Sequence, residues 1–217
     1  ATRPVVAVEM QEIVETDKTP GPWLTYAGNY AGHRHSLLRQ LNKGNVRNLR
    51  LAWASQLRQV DRELQATPIV ANGVMFVTES RDGVVALDAK TGTVLWTYQR
   101  PVPDGIPTCC GMPNRGVAVL GKTVFVATID SFLVALDANT GKQRWIVKVA
   151  DYQAGYSMTG APLALGDRVV VGIAGGEFGI RGFLVAFDPA DGRLLWKFHT
   201  IPSPGDTGHG TWAGDAW

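Results

Sequence analysis

Short runs of alternating apolar and polar residues recur along the chain, as is typical of half-buried β-strands. The first pair of runs reads TPIVA, an NG turn and VMFVTES, and the layout returns as GVAVL-GK-TVFVATI and APLAL-GD-RVVVGIA. Each pair is followed by a second pair, of which VVALDA-KTG-TVLWTYQ is the first copy. Glycine in each turn supplies the positive φ that tight hairpins need. The pattern therefore predicts units of four antiparallel strands.

A longer repeat organises these runs. VVALDAKTGTVLW (84–96), LVALDANTGKQRW (133–145) and LVAFDPADGRLLW (184–196) are three copies of one pattern. A period of about 50 residues in a strand-rich chain indicates a β-propeller, so the predicted fold class is all-β, with four-stranded antiparallel blades. We expect the tryptophan that ends each copy to pack between blades, the alanine of each copy to leave room for a neighbouring tryptophan, and the aspartate to bond backbone amides in its turn. These residues are Trp96, Trp145 and Trp196; Ala86, Ala135 and Ala186; Asp88, Asp137 and Asp188.

Both ends of the chain lie outside this repeat. Residues 1–48 are predicted to form an N-terminal extension with a short helix near NVRNL (45–49), and residues 49–217 a partial propeller. Within the propeller the predicted parts are an orphan strand (49–57), blades at about 65–100, 115–150 and 160–200, and the start of a further blade at 211–217. Unpaired sheet edges are an aggregation liability, so we expect a larger ring of which this chain is about the first half.

Composition and charge exclude two classes of function. The formal net charge is +2, and basic residues do not cluster in long runs, so binding to nucleic acid or to a membrane surface has no electrostatic support. No apolar stretch approaches the 18 or so residues of a membrane span. We therefore expect neither a nucleic-acid partner nor a transmembrane segment.

Candidate chemistry concentrates in PTCCGMPNRG (107–116), which holds both cysteines of the chain as neighbours. Adjacent α-carbons are about 3.8 Å apart across a trans peptide, below the roughly 4.4–6.8 Å of ordinary disulfides. A bond between Cys109 and Cys110 would form a small strained ring that closes no long loop and so adds little stability. Two reduced cysteines are the ordinary alternative. A glycine- and proline-rich connection between blades, where propellers bind ligands, favours a functional pair.

Four segments together resemble a known family. They are LLRQLNKGNVRNLRLAW (37–53), CCGMPNRGVAV (109–119), TGAPL (159–163) and GGEFGIRG (175–182). They are similar to the quinoprotein alcohol dehydrogenases, the pyrroloquinoline quinone (PQQ) enzymes of the methanol and ethanol dehydrogenase type. The likeness runs from about Trp23 to Trp217 and covers the first half of the family's length. It implies an eight-bladed propeller with PQQ near its axis, a metal ion (Ca²⁺, or alternatively a lanthanide), a small alcohol as substrate and a c-type cytochrome as electron acceptor.

The resemblance also implies roles for individual residues. Cys109 and Cys110 would form a disulfide that lies flat against the quinone. Arg115 would bind a carboxylate or quinone oxygen, although a solvated loop arginine is the alternative. Thr159 would hydrogen-bond a cofactor carboxylate, or else serve only as a turn former. Glu177 would ligate the metal ion, since hard cations prefer carboxylate oxygens, although a lone glutamate in a glycine-rich loop is usually just exposed.

Further cofactor contacts are implied around these residues. Ala174, Gly175 and Gly176 would let the backbone approach the cofactor closely. Gln65 stands in LQATP where relatives often have glutamate, and it offers a hydrogen bond without negative charge.

The resemblance places no catalytic base in this chain. It puts the base, a stacking tryptophan and an asparagine metal ligand in the missing C-terminal half, which is an expected partner, so the chain alone is not expected to oxidise alcohol. Two alternatives to the enzyme reading are a non-catalytic propeller scaffold of the outer-membrane assembly type and an inactive product of a split gene. A bacterial periplasmic location is predicted, because disulfides persist more readily outside the cytosol.

Overall fold

The computed structural model describes residues 5–58 and 64–214. These residues form three four-stranded antiparallel sheets, each built from consecutive strands. Blade 1 contains β1 (Ile69–Ala71), β2 (Val74–Thr78), β3 (Val84–Asp88) and β4 (Val94–Tyr98). Blade 2 contains β5 (Val117–Leu120), β6 (Thr123–Ala127), β7 (Phe132–Asp137) and β8 (Gln143–Lys148). Blade 3 contains β9 (Leu163–Ala164), β10 (Val169–Gly172), β11 (Phe183–Phe187) and β12 (Leu194–His199). The predicted all-β class with four-stranded antiparallel blades is confirmed.

The turns form where the sequence places them. Ala71 pairs with Val74 around the NG turn, so two turn residues suffice to reverse the chain. The predicted aspartate turns are also present. Asp88, Asp137 and Asp188 accept hydrogen bonds from the backbone N–H groups of Lys90, Asn139 and Ala190 at 3.0, 3.1 and 2.9 Å. Local turn chemistry thus sets the register of each hairpin.

Strand β6 of blade 2 is buried on both faces. All five residues of β6 are buried, with alternate side chains on opposite faces of the sheet. Val124 and Val126 join the core shared with blade 1, whereas Phe125 and Ala127 join the core shared with blade 3. This two-sided burial explains why the strand reads as an uninterrupted apolar run.

The predicted tryptophan packing between blades is confirmed for Trp96 and Trp145. The Trp96 indole N–H donates to the Ala138 carbonyl of blade 2 at 2.9 Å, and the Trp145 N–H donates to the Pro189 carbonyl of blade 3 at 3.2 Å. Each indole lies on a turn glycine of the next blade: a Cβ atom at Gly141 would come within 2.6 Å of Trp96 Cε3. The bond and the apolar contact together dock one blade on the next.

The predicted role of the alanines is wrong in detail. Ala86 pairs with Trp96 across the two outer strands of the same blade, and Ala135 pairs with Trp145 in the same way. The neighbouring indole instead packs on the turn glycine, which lacks a side chain altogether. Spacing within a repeat could not separate contacts inside a blade from contacts between blades.

The prediction of an orphan strand at 49–57 is corrected by the structure, in which these residues form no strand. The segment is extended, and Trp53 and Leu57 pack on the cluster of Val77, Val85 and Leu87. Trp53 lies against Gly92, just as Trp96 lies against Gly141. A strand is defined by backbone bonds to a neighbour, and the described residues supply no neighbouring strand. Trp53 and Leu57 therefore dock on blade 1 although their segment pairs with no strand in the part of the chain that the structure describes.

The N-terminal segment contacts the innermost strand of each blade or its turn. Trp23 and Val70 exchange two backbone hydrogen bonds of 2.9 Å, and Val8 and Gly121 exchange two of 2.9 and 2.7 Å. The Tyr30 hydroxyl donates to the Ala164 carbonyl of blade 3. The segment predicted as a plain extension thus ties the three blades together.

Helical structure is scarce. The predicted helix near 45–49 is a single 3₁₀ turn, Val46–Asn48, while α1 (Met10–Val14) was not predicted. Five residues are too few for a periodic signal, and a capping box between Glu9 and Glu12 stabilises this helix. No helix in the described ranges has the length and apolar character needed to cross a membrane. The blade predicted to begin at 211–217 shows no strand at 211–214, and its last three residues lie outside the described part.

We expect Gly141→Ala to lower the free energy of unfolding by about 2–4 kcal/mol, because the new methyl collides with the Trp96 indole and the residue keeps a positive φ of 72°. Gly73→Ala is the matched control, since Gly73 has a φ of 80° and no neighbouring atom within 4 Å of an added Cβ. The control should lose only the conformational part, about 1–2 kcal/mol. Urea denaturation of both variants measures the difference, and equal losses would contradict the docking role of Gly141.

Candidate functional site

The predicted site residues lie at one edge of the blades. Because antiparallel strands alternate in direction, the connections between blades and the central connection within each blade fall at the same edge, here called the site edge. The assigned residues belong to these connections. They are Gln65 before β1; Cys109, Cys110 and Arg115 between β4 and β5; Thr159 between β8 and β9; and Ala174, Gly175, Gly176 and Glu177 between β10 and β11.

The two cysteines form a disulfide. The Sγ atoms of Cys109 and Cys110 are bonded and their Cα atoms are 3.8 Å apart. Both residues are exposed at the site edge. The structure therefore contains the bonded pair rather than two free thiols, and both bonded residues are exposed to solvent.

The connection that carries the disulfide is anchored on blade 1. The Arg81 guanidinium donates to the Val102 carbonyl at 3.0 Å and pairs with Asp104 at 2.9 Å. The Arg81 backbone N–H donates to the Met112 carbonyl, and Ile106 is buried beneath the connection. Contacts on both sides of the disulfide hold it on the blade.

Arg115 and Thr159 are brought together by a backbone ladder across the three blades. The Thr67 N–H donates to the Arg115 carbonyl, and the Arg115 N–H donates to the Thr159 carbonyl, both at 3.1 Å. Arg115 Nη1 also donates to Thr159 Oγ1 at 2.7 Å. Its Nε and Nη2 have no partner among the described residues, and Arg115 lines a cavity of about 390 Å³ beside the N-terminal segment. The guanidinium is thus held in place by Thr159, and its Nε and Nη2 groups can donate to a ligand.

The segment that begins at Ala174 is fixed by the connection between β8 and β9. Ala174 and Ser157 exchange two backbone hydrogen bonds of 2.8 and 3.0 Å. Gly175 has a φ of 123°, and a Cβ there would collide with the Gly155 carbonyl oxygen. Packing on the Gly155 backbone therefore already requires glycine at 175. Around Gly176 an added Cβ would meet no atom within 4 Å, so this glycine leaves open space.

Glu177 lies exposed in the 3₁₀ turn Gly176–Phe178. Among the described residues no group of three or more histidine, cysteine or acidic side chains is placed to hold a metal ion. The chain thus offers one carboxylate at this position rather than a complete coordination sphere.

A buried polar network behind the disulfide was missed from the sequence. The Asp82 carboxylate accepts from Asn114 Nδ2 at 2.8 Å and from the Ile129 N–H at 2.7 Å. Arg100 pairs with the buried Asp130 at 2.6 Å in the same region. Two sequence features could have indicated this network. They are the polar segment RDG (81–83) inside an otherwise apolar repeat and Asn114 in the NRG motif.

Comparison with known proteins identifies the chain. Residues 23–217 match the family described as glucose/ethanol/alcohol dehydrogenase, β-propeller domain, a PQQ family. The chain belongs to this family of PQQ dehydrogenases. The family resemblance predicted from the cysteine pair and the glycine-rich motifs is confirmed, and the scaffold alternative is not favoured.

The relatives are alcohol dehydrogenases that are longer than this chain. Quinoprotein alcohol dehydrogenase PedH of Pseudomonas putida is 40% identical over 229 residues, which cover 97% of this chain and 38% of that protein. A quinohemoprotein alcohol dehydrogenase structure from Pseudomonas putida has a TM-score of 0.85 at 40% identity, covering 94% of this chain and 30% of that one. The structure of a europium-containing methanol dehydrogenase has a TM-score of 0.81 at 37% identity, and the match covers 90% of this chain and 35% of that one. The chain therefore spans about a third of the length of these relatives.

The pH dependence of stability should report on Asp82. Burial raises the pKa of Asp82 to about 7, although hydrogen bonds from Asn114 and Ile129 oppose the shift. In the unfolded chain an aspartate has a pKa of about 4, so the folded state binds the proton more tightly. The stability that this group contributes is therefore fully present below about pH 4 and is lost as pH rises to about 7.

We expect the unfolding free energy of the native chain, minus that of Asp82→Asn, to fall between pH 4 and pH 7. Urea denaturation at a series of pH values measures this difference, in which the titration of other groups largely cancels. A difference that stays constant or rises with pH would contradict the raised pKa.

Proposed function

We propose that this chain forms one wall of the PQQ site in an enzyme that oxidises small alcohols to aldehydes. The observation that carries the proposal is the exposed Cys109–Cys110 disulfide on the same edge as the Arg115–Thr159 pair, in a chain of the PQQ family. Family membership supports the class of cofactor, and the site edge supports the residues assigned to it.

The residues present fit PQQ. PQQ is a flat molecule that carries carboxylates and quinone oxygens, and it needs an apolar face and hydrogen-bond donors. The exposed disulfide-bonded pair of Cys109 and Cys110 would offer such a face. Arg115 retains N–H donors on Nε and Nη2, and a guanidinium suits both types of acceptor. Thr159 and Gln65 add polar side chains. Ala174, Gly175 and Gly176 add a stretch of backbone that the cofactor can approach closely.

Glu177 is proposed as a ligand of a metal ion beside the cofactor. Ca²⁺ takes about 6–8 oxygen ligands, so the remaining ligands must come from the cofactor and from residues outside this chain. The europium-containing relative supports a lanthanide as the alternative ion.

The division of labour follows from these assignments. Bound PQQ would supply a two-electron acceptor for the hydride of the alcohol carbon. The residues of this chain bind and orient it: the disulfide supports one face, and Arg115 and Thr159 hold polar groups at its rim. No residue of this chain is assigned as the catalytic base.

The proposed partners follow from the same chemistry. They are a small alcohol, a c-type cytochrome that takes the electrons, and a further part of the propeller that completes the site. We place the protein in the bacterial periplasm, where an exposed disulfide stays oxidised.

Removing the guanidinium should weaken PQQ binding. We expect Arg115→Ala to raise the PQQ dissociation constant about 10- to 100-fold, since hydrogen bonds to charged groups contribute about 1.5–3 kcal/mol. Arg193→Ala is the matched control, because it removes the same charge from an exposed turn on the opposite edge, where Arg193 pairs with Asp188 at 2.9 Å. Equilibrium dialysis with PQQ measures both variants. Equal affinities, or no uptake by the native chain, would refute the assignment.

The metal assignment has a separate test. Ca²⁺ should tighten PQQ binding to the native chain, and Glu177→Gln should remove most of that gain while leaving metal-free affinity unchanged. Asp191→Asn, in an exposed turn away from the site edge, serves as the control for lost charge. A variant at 177 that keeps the full response to Ca²⁺ would exclude Glu177 as a ligand.

A further inference from the structure

We infer that Asp82 is a positioning residue for the segment that carries the disulfide and Arg115, an inference that rests on the proposed function. Asp82 lies in the central connection of blade 1, whereas its two hydrogen-bond donors, Asn114 and Ile129, belong to the connection into blade 2 and to blade 2 itself. Its carboxylate therefore links two blades directly behind the site edge.

Asp82 is buried and held by two donors of the protein. Its exposed fraction is 0%, and each carboxylate oxygen accepts one hydrogen bond, of 2.8 Å from Asn114 and 2.7 Å from Ile129. Its backbone adopts a positive φ of 64°, which is unusual for a residue other than glycine. The structure thus accepts both a buried carboxylate and an unfavourable backbone conformation at this position.

Asn114 is fixed from every side. Besides the bond to Asp82, its Nδ2 donates to the Ala127 carbonyl at 2.8 Å, and its Oδ1 accepts from the Gly116 N–H at 3.1 Å. Its own carbonyl accepts from the Thr78 hydroxyl at 3.0 Å. Every hydrogen-bonding atom of the side chain is used, so its orientation is unique.

This arrangement transmits position to Arg115. Arg115 lies between Asn114 and Gly116, the two residues that the network fixes, and its own N–H and guanidinium continue to Thr159. Asp82 is buried, and it acts on this segment through its hydrogen bond with Asn114 rather than by binding the cofactor itself.

The blade repeat itself does not need a carboxylate here. Ser131 occupies the equivalent place in blade 2, two residues before Leu133 as Asp82 is two residues before Val84. Ser131 has the same positive φ of 65° and is equally buried, yet its hydroxyl has no partner among the described residues. A buried ionisable group is seldom retained for stability alone, whereas directional bonds fix orientation. Asp82 is therefore specific to the blade interface that carries the disulfide.

The test compares Asp82→Asn and Asn114→Ala with two controls in the 217-residue chain. Ser131→Ala changes the equivalent position, and Val124→Ala weakens the core without touching the network. Hydrogen exchange of peptides covering 107–116 is measured first, without any ligand. We expect at least 10-fold faster exchange of this segment in both network variants, unchanged exchange of β11, and no local effect in Ser131→Ala. If Asp82 and Asn114 contributed only to global stability, their variants would raise hydrogen exchange throughout the chain, as Val124→Ala should.

The second measurement is the PQQ dissociation constant of the same four variants. We expect a rise of about 10-fold in Asp82→Asn and Asn114→Ala and less than 2-fold in the controls. Normal exchange at 107–116 in both network variants overturns the inference, as does unchanged PQQ affinity when the native chain binds PQQ. If the native chain takes up no PQQ, the proposed function fails, and hydrogen exchange alone then decides whether Asp82 positions the segment.

Discussion

The packing of an indole on the turn glycine of the next blade is the contact on which the rest of the structure depends. Trp53, Trp96 and Trp145 each lie on such a glycine, and the last two add a hydrogen bond to a backbone carbonyl. This contact sets the distance and rotation between blades at their outer edges. The position of one connection relative to the next follows from it, so residues far apart in sequence meet at the site edge.

At the site edge, polar contacts take over from apolar packing. The interior between blades 1 and 2 is built from apolar side chains, whereas the edge carries the ladder from Thr67 through Arg115 to Thr159 and the buried pair of Asp82 and Asn114. Apolar contacts are tolerant of small shifts, while hydrogen bonds are directional. A site that must hold a rigid, flat cofactor benefits from this division, with stability from the core and orientation from the edge.

The chain accounts for one side of the proposed site. It contributes a disulfide, an arginine with free donors and one carboxylate, and it spans about a third of the length of its relatives. The N-terminal segment meanwhile pairs with Val70 and Gly121, so the inner side of the blades is partly covered by the chain itself.

The sequence by itself determined the blades, their turns and the family, because those depend on local signals: alternation, turn glycines, and motifs such as CCGMPNRG. The family resemblance named the candidate residues of the site edge, and the antiparallel topology explains why they lie at one edge. Only the tertiary structure showed that Gly141 rather than an alanine receives the indole, that 49–57 is extended without pairing, that Gly175 is required by the Gly155 carbonyl, and that Asp82 bonds Asn114. These features depend on how segments distant in sequence meet when the blades dock, which no local pattern encodes.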